Sequence, residues 1–524
     1  MTTTEQRGSD SGADIRPLGD GGTIRSKQLA RAADPGAMYS CVPRTRAPKG
    51  AGGSVITRLT PQDASFYRLE SSSNPIHIGS LAIVRNSGGA DEVALDYDRL
   101  VDLVEERLSL VPRYRRKVRE IPFALGRPVW VEDSGFDITY HVRRSALPGP
   151  GSDEQLLDLV ARLASRPLDQ TRPLWEMYLI EGLTDGRSAI FTKTHSALVD
   201  GDTALEIGHV ILDTGPSPRG VADDAWHAPR EPSESELLIG ALAHLAAQPG
   251  EALEVVREAR SGVLGMIGST GKAVHSVVGA VRAAATGTQD SPLNIRTSRN
   301  RRFAVVRTDL EDYRKLRKRF DCSINDVILA VVTGALRNWL LSRGEALTES
   351  STVRTVVPMS VYVDSPGAAQ LNPASEVSSF LIDLPVGEPN PVIRLSHISH
   401  ATAANSKHRR GVRARTLVHM AGFAPASLHA MSVRAASTFA EHTFNLVITN
   451  APGPQRPMYI GGARMLEMYP VSPLLRNQAS SIGITSYDGR VCYGLNADRD
   501  AMADIGVLAA SVHESMEEML GACL

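Results

Sequence analysis

Two stretches of this chain alternate short apolar runs with amphipathic helical segments, and a Pro- and Ser-rich break separates them. That alternation constrains the fold more than any other feature. An apolar run bounded by turn residues suits a strand buried in a sheet, and apolar residues three and four apart give a helix one face to lay on it. In the first stretch IHIGSLAIV, VWVEDSGFDITYHV, LWEMYLIEGL and SAIFTKTHSALV read as strands, with helices over residues 96–109 (DYDRLVDLVEERLS) and 152–165. In the second, FAVVRTDL, TVRTVVPMSV, VSSFLIDLPV and FNLVITNAPGP read as strands and INDVILAVVTGALRNWLLSRG as a helix. ASSIGITSYDGRVCYGLNAD reads as a hairpin around Asp488-Gly489, because Asp-Gly supplies the left-handed pair of a tight hairpin turn, and a closing helix follows from Ala501.

The expected architecture is α/β: two related domains, residues 55–213 and 296–524, joined by a helical connector over 214–295. The connector opens with the turn-rich GPSPRG and HAPREPSESE, and continues over 237–286 as an Ala- and Val-rich helical stretch broken by Pro249 and several glycines. Residues 1–54, rich in Gly, Arg, Ser and Pro without a sustained period, are expected to form a disordered tail. At 524 residues the chain exceeds what one hydrophobic core accommodates.

Lys and Arg number 57 against 58 Asp and Glu, which argues against a dominant nucleic-acid role, since phosphate binding rests on clustered cations. Four scattered cysteines, Cys41, Cys322, Cys492 and Cys523, form no C-x-x-C pair and no disulfide framework, so a reduced, cytoplasmic compartment is expected. The N-terminus lacks the apolar stretch of a signal peptide. No run reaches the ~20 clean apolar residues of a membrane span. The nearest candidates, 261–287 and 416–440, are interrupted by Lys272, His275 and Arg282, and by His419, Pro425, His429 and Arg434.

The sharpest local feature is THSALVDGDT, residues 194–203, directly after an apolar strand. A histidine at a buried strand end followed by Asp and Gly has the composition of a general base with an orienting carboxylate. Taken alone, such a histidine is more often structural. Other motifs fail: in GMIGSTGKAV a phosphate loop would need Gly at Met266 and Ser or Thr at Ala273, and in GPSPRG a nucleophile elbow would need Gly at Arg219. His195 and His209 have no Cys or acidic pair at metal-ligand spacing, so no metal is expected. The basic run PRYRRKVRE, residues 112–120, reads as a solvated helix end or salt-bridged face, with attraction of CoA phosphates or lipid headgroups as the alternative.

His195-Ser196-Ala197-Leu198-Val199-Asp200-Gly201 is similar to the H-H-x-x-x-D-G motif of CoA-dependent acyltransferases, and its surroundings resemble the bacterial, actinobacterial-type wax ester synthase/diacylglycerol acyltransferase family. RLTPQDASFYRLE, NPIHIGSLAI and GRPVWVEDSGFDITYHV look like that family's first blocks. Pro173, Leu174 and Trp175 match its P-L-W, Asn325 and Asp326 its N-D pair, and TNAPGPQ, with Asn450, Pro452 and Gly453, its N-x-P-G-P turn. The blocks follow one another in the family's order from about residue 55 onward. The resemblance implies two chloramphenicol-acetyltransferase-like domains with an interdomain tunnel, where a long-chain acyl-CoA, a substrate and not a bound cofactor, meets diacylglycerol or a long-chain alcohol. It also implies that His195, Ser196, Asp200 and Gly201 occupy the catalytic motif, and that Pro173, Leu174, Trp175, Asn325, Asp326, Asn450, Pro452 and Gly453 border substrate. Water-insoluble substrates imply a protein at the surface of a membrane or lipid droplet, with residues 237–286 and 416–440 as the apolar, Arg- and Lys-flanked anchor candidates.

The chain departs from that pattern where it matters most. The family's base is the imidazole four residues before the Asp, and four before Asp200 stands Ser196, with His195 at the first-His position. A serine hydroxyl accepts a proton poorly, and a general base is worth roughly 10²–10⁴ in rate. Either His195 substitutes as base, or the chain binds acyl-CoA and lipid without turnover. Locally, Ser323 or Asn325 also reads as a helix cap, residues 450–454 as a rigid turn, and Trp175 as core or tunnel wall.

Overall fold

A computed structural model describes residues 56–71, 73–85, 94–199, 207–221, 226–227, 229–247, 291–358, 379–408 and 444–523. The expected tail, Asp200, Gly201, most of the connector and the stretch 416–440 lie outside the described residues. In the first half the order is β1 (Thr57–Arg58), α1 (Pro61–Leu69), β2 (His77–Arg85), α2 (Tyr97–Arg107), β3 (Arg116–Arg119), β4 (Val129–Glu132), α3 (Ile138–His141), β5 (Val142–Ala146), α4 (Asp153–Ser165), β6 (Trp175–Glu181), β7 (Arg187–His195), α5 (Ile207–Val210), β8 (Leu212–Asp213) and α6 (Glu234–Ala247). The second half runs β9 (Arg301–Asp309), α7 (Leu310–Phe320), α8 (Ile324–Ser342), β10 (Val353–Pro358), β11 (Ser379–Leu384), α9 (Pro391–His408), β12 (Leu446–Ala451), β13 (Tyr459–Ile460), β14 (Ala463–Val471), β15 (Ser480–Tyr487), β16 (Arg490–Asp498) and α10 (Ile505–Gly521).

Local chemistry sets most of these boundaries. Ser152 and Gln155 close a capping box at the start of α4, and Ser323 and Asp326 close another at α8, each satisfying amides that a helix start leaves free. Helix α8 is apolar around most of its circumference and buried in the second-half core, as such a composition requires. Its length and hydropathy would also suit a membrane span, but it is the core helix here. The hairpin β15–β16 turns at Asp488 and Gly489, both at positive φ, as the Asp-Gly pair predicts. VWVEDSGFDITYHV is not one strand: β4 ends at Glu132, the Asp-Ser-Gly turn follows, and Asp137 caps α3 by accepting from the Thr139 amide at 2.9 Å. The basic run 112–120 is no helix end but a short 3₁₀ turn and β3, and there Arg116 pairs with Glu132 and Lys117 with Asp133 and Glu231.

A seven-stranded sheet of order β5-β6-β7-β2-β14-β13-β8 carries the first half, and a six-stranded sheet of order β11-β10-β12-β15-β16-β9 the second. A small β1-β4-β3 sheet lies apart from both in hydrogen bonding. Strands β13 and β14 come from late in the chain yet pair into the first sheet, β14 lying antiparallel to β2. Leu156, Val160 and Leu163 of α4 share one apolar cluster with Phe303 and Cys492 of the second sheet and Tyr469 of β14. Pro470 of β14 crosses Gly483 and Gly494, which face each other in β15 and β16. A Cβ at Gly494 would fall 1.9 Å from the Pro470 carbonyl oxygen, so only glycine permits the approach.

Gly494→Ala is therefore expected to lower stability by about 1–3 kcal/mol, the usual cost of overpacking a core. Gly506→Ala, where an added Cβ meets nothing within 4 Å, should leave the urea midpoint unchanged or higher. Equal midpoints for the two variants would show that the Pro470 crossing is not tight.

Candidate active site

The seven-stranded sheet brings two histidines face to face. Strands β2 and β7 run antiparallel with His77 directly opposite His195, so both side chains leave the same face of the sheet. Their ring centroids are 6.0 Å apart. Glu70, immediately after α1, reaches between them: its Oε1 is 2.6 Å from His77 Nε2 and its Oε2 3.4 Å from His195 Nε2. Helix α1 is held in place at its start by Thr60, whose hydroxyl oxygen accepts from the Asp63 amide at 3.1 Å. All three side chains of the cluster are buried.

Hydrogen bonding fixes one of the two tautomers. His195 Nδ1 accepts from the Ala197 amide at 3.0 Å, so its proton is on Nε2, toward Glu70. A carboxylate oxygen 2.6 Å from His77 Nε2 favours the proton there, and His77 Nδ1 is buried and has no hydrogen-bond partner. Burial alone would push the Glu70 carboxyl up, but hydrogen bonding from His195 and His77 outweighs it and holds the group well below the usual carboxylate range. Burial pushes His77 down to about 4 against the opposing pull of Glu70.

The turn after β7 is built from the backbone. The Leu198 amide donates to the His195 carbonyl at 2.9 Å, and the Ser196 amide to the Ile76 carbonyl at 3.2 Å. The Ser196 hydroxyl, fully buried, donates to that same Ile76 carbonyl at 3.3 Å. Pro173, Leu174 and Trp175 lie alongside: the His195 amide donates to the Leu174 carbonyl at 2.9 Å. The Trp175 indole is inside the first-half core, stacked on His141 and donating to the Tyr114 carbonyl at 2.8 Å.

In the second half, Asn450 donates to Asn325 at 3.2 Å, which joins the N-D pair to the N-x-P-G-P turn. Asp326 is engaged in the α8 capping box and accepts from the Thr402 hydroxyl at 2.6 Å. The Gly453 amide donates to Ser486 Oγ at 3.2 Å, fixing the turn against β15, beside Pro452. No hydrogen bond or ion pair among the described residues links these groups to His195.

A narrow cleft lies between the two sheets, with His77, Gly79 and Lys193 on one wall and Arg301, Pro473 and Asn496 on the other. Lys193 is buried and bound to Glu176 at 3.0 Å and to the Leu163 and Arg166 carbonyls. Burial lowers its pKa although Glu176 opposes this. Arg301 donates to the carbonyls of Ser73 and Ser298. His195 does not line the cleft. Among the described residues no three His, Cys, Asp or Glu side chains are arranged to hold a metal ion. Glu70 and His77 stand in RLTPQDASFYRLE and NPIHIGSLAI, yet sequence reading assigned neither a role, because only the pairing of β2 with β7 brings them to His195. A histidine inside an apolar strand run was the available signal.

Comparison with known proteins adds to this geometry. Residues 59–328 match the wax ester synthase/diacylglycerol acyltransferase catalytic domain, and residues 375–520 the WS/DGAT C-terminal domain. The chain is 32% identical over 468 residues to the probable diacylglycerol O-acyltransferase tgs1 of Mycobacterium tuberculosis, covering 89% of this chain and 96% of that one. It is 49% identical over 269 residues to the probable diacylglycerol O-acyltransferase tgs3 of the same species, covering 51% of this chain and 98% of that one. Among solved structures, the wax ester synthase/diacylglycerol acyltransferase from Marinobacter aquaeolei VT8 superimposes with a TM-score of 0.61 at 27% identity, covering 89% of this chain and all of that one.

Three buried histidines make stability depend on pH. His77, His141 and His209 are each pushed by burial from 6.5 to about 4. Between those values the unfolded chain binds more protons than the folded one, so stability falls as pH falls, by about 1.4 kcal/mol per pH unit for each group. Below about 4.5 protonation of Glu70 adds to the loss. The urea midpoint should stay level from pH 8 to 7 and drop steadily from 6.5 to 5; a level midpoint down to pH 5 would contradict this account.

Proposed function

The chain belongs to the wax ester synthase/diacylglycerol acyltransferase family, and from that premise we propose that it transfers a long-chain acyl group from acyl-CoA to diacylglycerol, making triacylglycerol, with a long-chain alcohol as the other acceptor. The observation that carries the reading is the buried carboxylate with two imidazoles at the strand end bearing the acyltransferase motif, beside a cleft between the two sheets. Acyl transfer to a hydroxyl needs a base for the hydroxyl proton, and a neutral imidazole is suited to that at pH 7. The motif that begins with His195 and Ser196 carries this chemistry, and Asn450, hydrogen-bonded to Asn325, belongs to the second-half motifs expected to border substrate. The thioester supplies the driving force.

One observation favours a second reading. Ser196 replaces an imidazole, and its hydroxyl hydrogen is directed at the Ile76 carbonyl. A chain with no base would hold acyl-CoA and lipid without turnover. Labelled oleoyl-CoA incubated with diolein, or with hexadecanol, separates the two: acyl transfer puts label into triolein or wax ester, and binding alone leaves it in the thioester.

The same substrates argue for peripheral attachment to a membrane or lipid droplet on the cytoplasmic side. In support, Phe123 is 85% exposed at φ +60 on a 3₁₀ turn packed beside α6, whose outer side carries the exposed Ile239 and Leu242. Arg58 anchors this patch by donating to the Gly240 carbonyl at 3.2 Å. An aromatic held outward next to two exposed aliphatics suits insertion among lipid chains. Replacing Phe123, Ile239 and Leu242 together by Ser should at least halve the fraction floating with phosphatidylcholine/phosphatidylglycerol vesicles and leave the melting temperature unchanged. Undiminished flotation would remove this patch as the attachment point.

A further inference from the structure

Two imidazoles share Glu70, and their surroundings are not equivalent. His195 has its Nδ1 held by the Ala197 amide and its Nε2 3.4 Å from Glu70, and it does not line the cleft. His77 has its Nε2 2.6 Å from Glu70 but its Nδ1 buried without a hydrogen-bond partner, and the residue lines the cleft. Across the cleft Asn496 donates its Nδ2 hydrogen to the Ser472 carbonyl at 2.8 Å, which leaves its Oδ1 also buried and without a partner. Buried polar atoms are nearly always paired, and these two, on cleft-lining residues from the two sheets, are atoms that a ligand would complete. The cations of the same walls, Lys193 and Arg301, are already bound to protein oxygens.

We infer that His77 is the general base of the acyl transfer, with Glu70 as its positioning residue, in place of the imidazole that Ser196 replaces; the assignment rests on the acyl-transfer reading. The acceptor hydroxyl gives its proton to His77 Nδ1 as its oxygen bonds to the thioester carbonyl carbon. The tetrahedral intermediate then collapses, the carbon–sulfur bond breaks, and the CoA sulfur takes that proton from Nδ1, leaving ester, free thiol and a neutral imidazole. Glu70, ionised and 2.6 Å from Nε2, stabilises the imidazolium while it exists and prevents the ring from turning its lone pair away. Burial keeps the ring unprotonated at pH 7, ready to accept. Asn496 Oδ1 would receive an N–H or O–H of the bound substrates and so orient them from the other wall.

The test is steady-state transfer from oleoyl-CoA to diolein by the full chain and two variants. His77→Gln keeps a polar side chain of similar reach but cannot carry the proton; kcat should fall by about 10²–10⁴, with KM for oleoyl-CoA within threefold and an unchanged melting temperature. Glu70→Gln should lower kcat with the same indifference of KM, and Glu70→Asp should recover part of it, which a merely structural role would not produce. Native-like kcat in folded His77→Gln overturns the assignment. Should His77→Gln not fold, the Glu70 variants decide: kcat unchanged in Glu70→Gln overturns it equally. A native chain that transfers no label overturns the acyl-transfer reading itself, and the base assignment falls with it.

Discussion

The site depends on one close approach. Strand β14 belongs by sequence to the second half but pairs with β2 of the first, and it can do so only because Pro470 passes over two facing glycines in β15 and β16. A side chain at Gly494 would fall 1.9 Å from the Pro470 carbonyl oxygen and one at Gly483 2.8 Å from the Pro470 Cβ, so either would force strand β14 away from the second sheet. That crossing holds Val471, Pro473 and Leu474 against the wall formed by His77, Gly79 and Lys193. The cleft is thus a consequence of strand exchange between the halves. Two domains touching only through their surfaces would not fix its walls so closely, since interfaces of that kind are more polar and more mobile than the apolar cluster of α4, β9 and β14.

Within that frame the polar cluster obeys the cost of burying charge. An isolated buried carboxylate costs several kcal/mol or changes its protonation state. Glu70 remains ionised because two imidazoles face it, and the Ala197 amide fixes the His195 tautomer that presents its hydrogen to the carboxylate. Removing either imidazole would leave the carboxylate half satisfied in a dry site. The same arrangement suits catalysis: a buried carboxylate that stabilises a neutral imidazole in one tautomer stabilises its protonated form more.

Much of the fold was legible in the sequence. The apolar runs gave β2, β6, β7, β10 and β11, the three-and-four spacing gave α2 and α4, and Asp488-Gly489 gave the hairpin turn. Of the two cap candidates for α8, Ser323 and Asn325, the structure uses Ser323. What failed was of two kinds. In VWVEDSGFDITYHV a short turn and a capping Asp outweighed an apolar pattern that extends across them, so a helix interrupts the strands. The exchange of β13 and β14 into the first sheet leaves no local mark, because strand pattern is blind to which sheet a strand joins.

The site shows the same division. His195 and the loss of the second imidazole were visible at once, because the motif is contiguous. Glu70 and His77 are 125 and 118 residues from His195 in sequence, and their partnership exists only through the pairing of β2 with β7 and the placement of α1. A linear motif therefore names the place of the chemistry more reliably than the atom that performs it. With Ser196 in the motif, the inferred base is sought instead by a place at the cleft and a ring nitrogen without a partner, and His77, which the motif does not contain, has both.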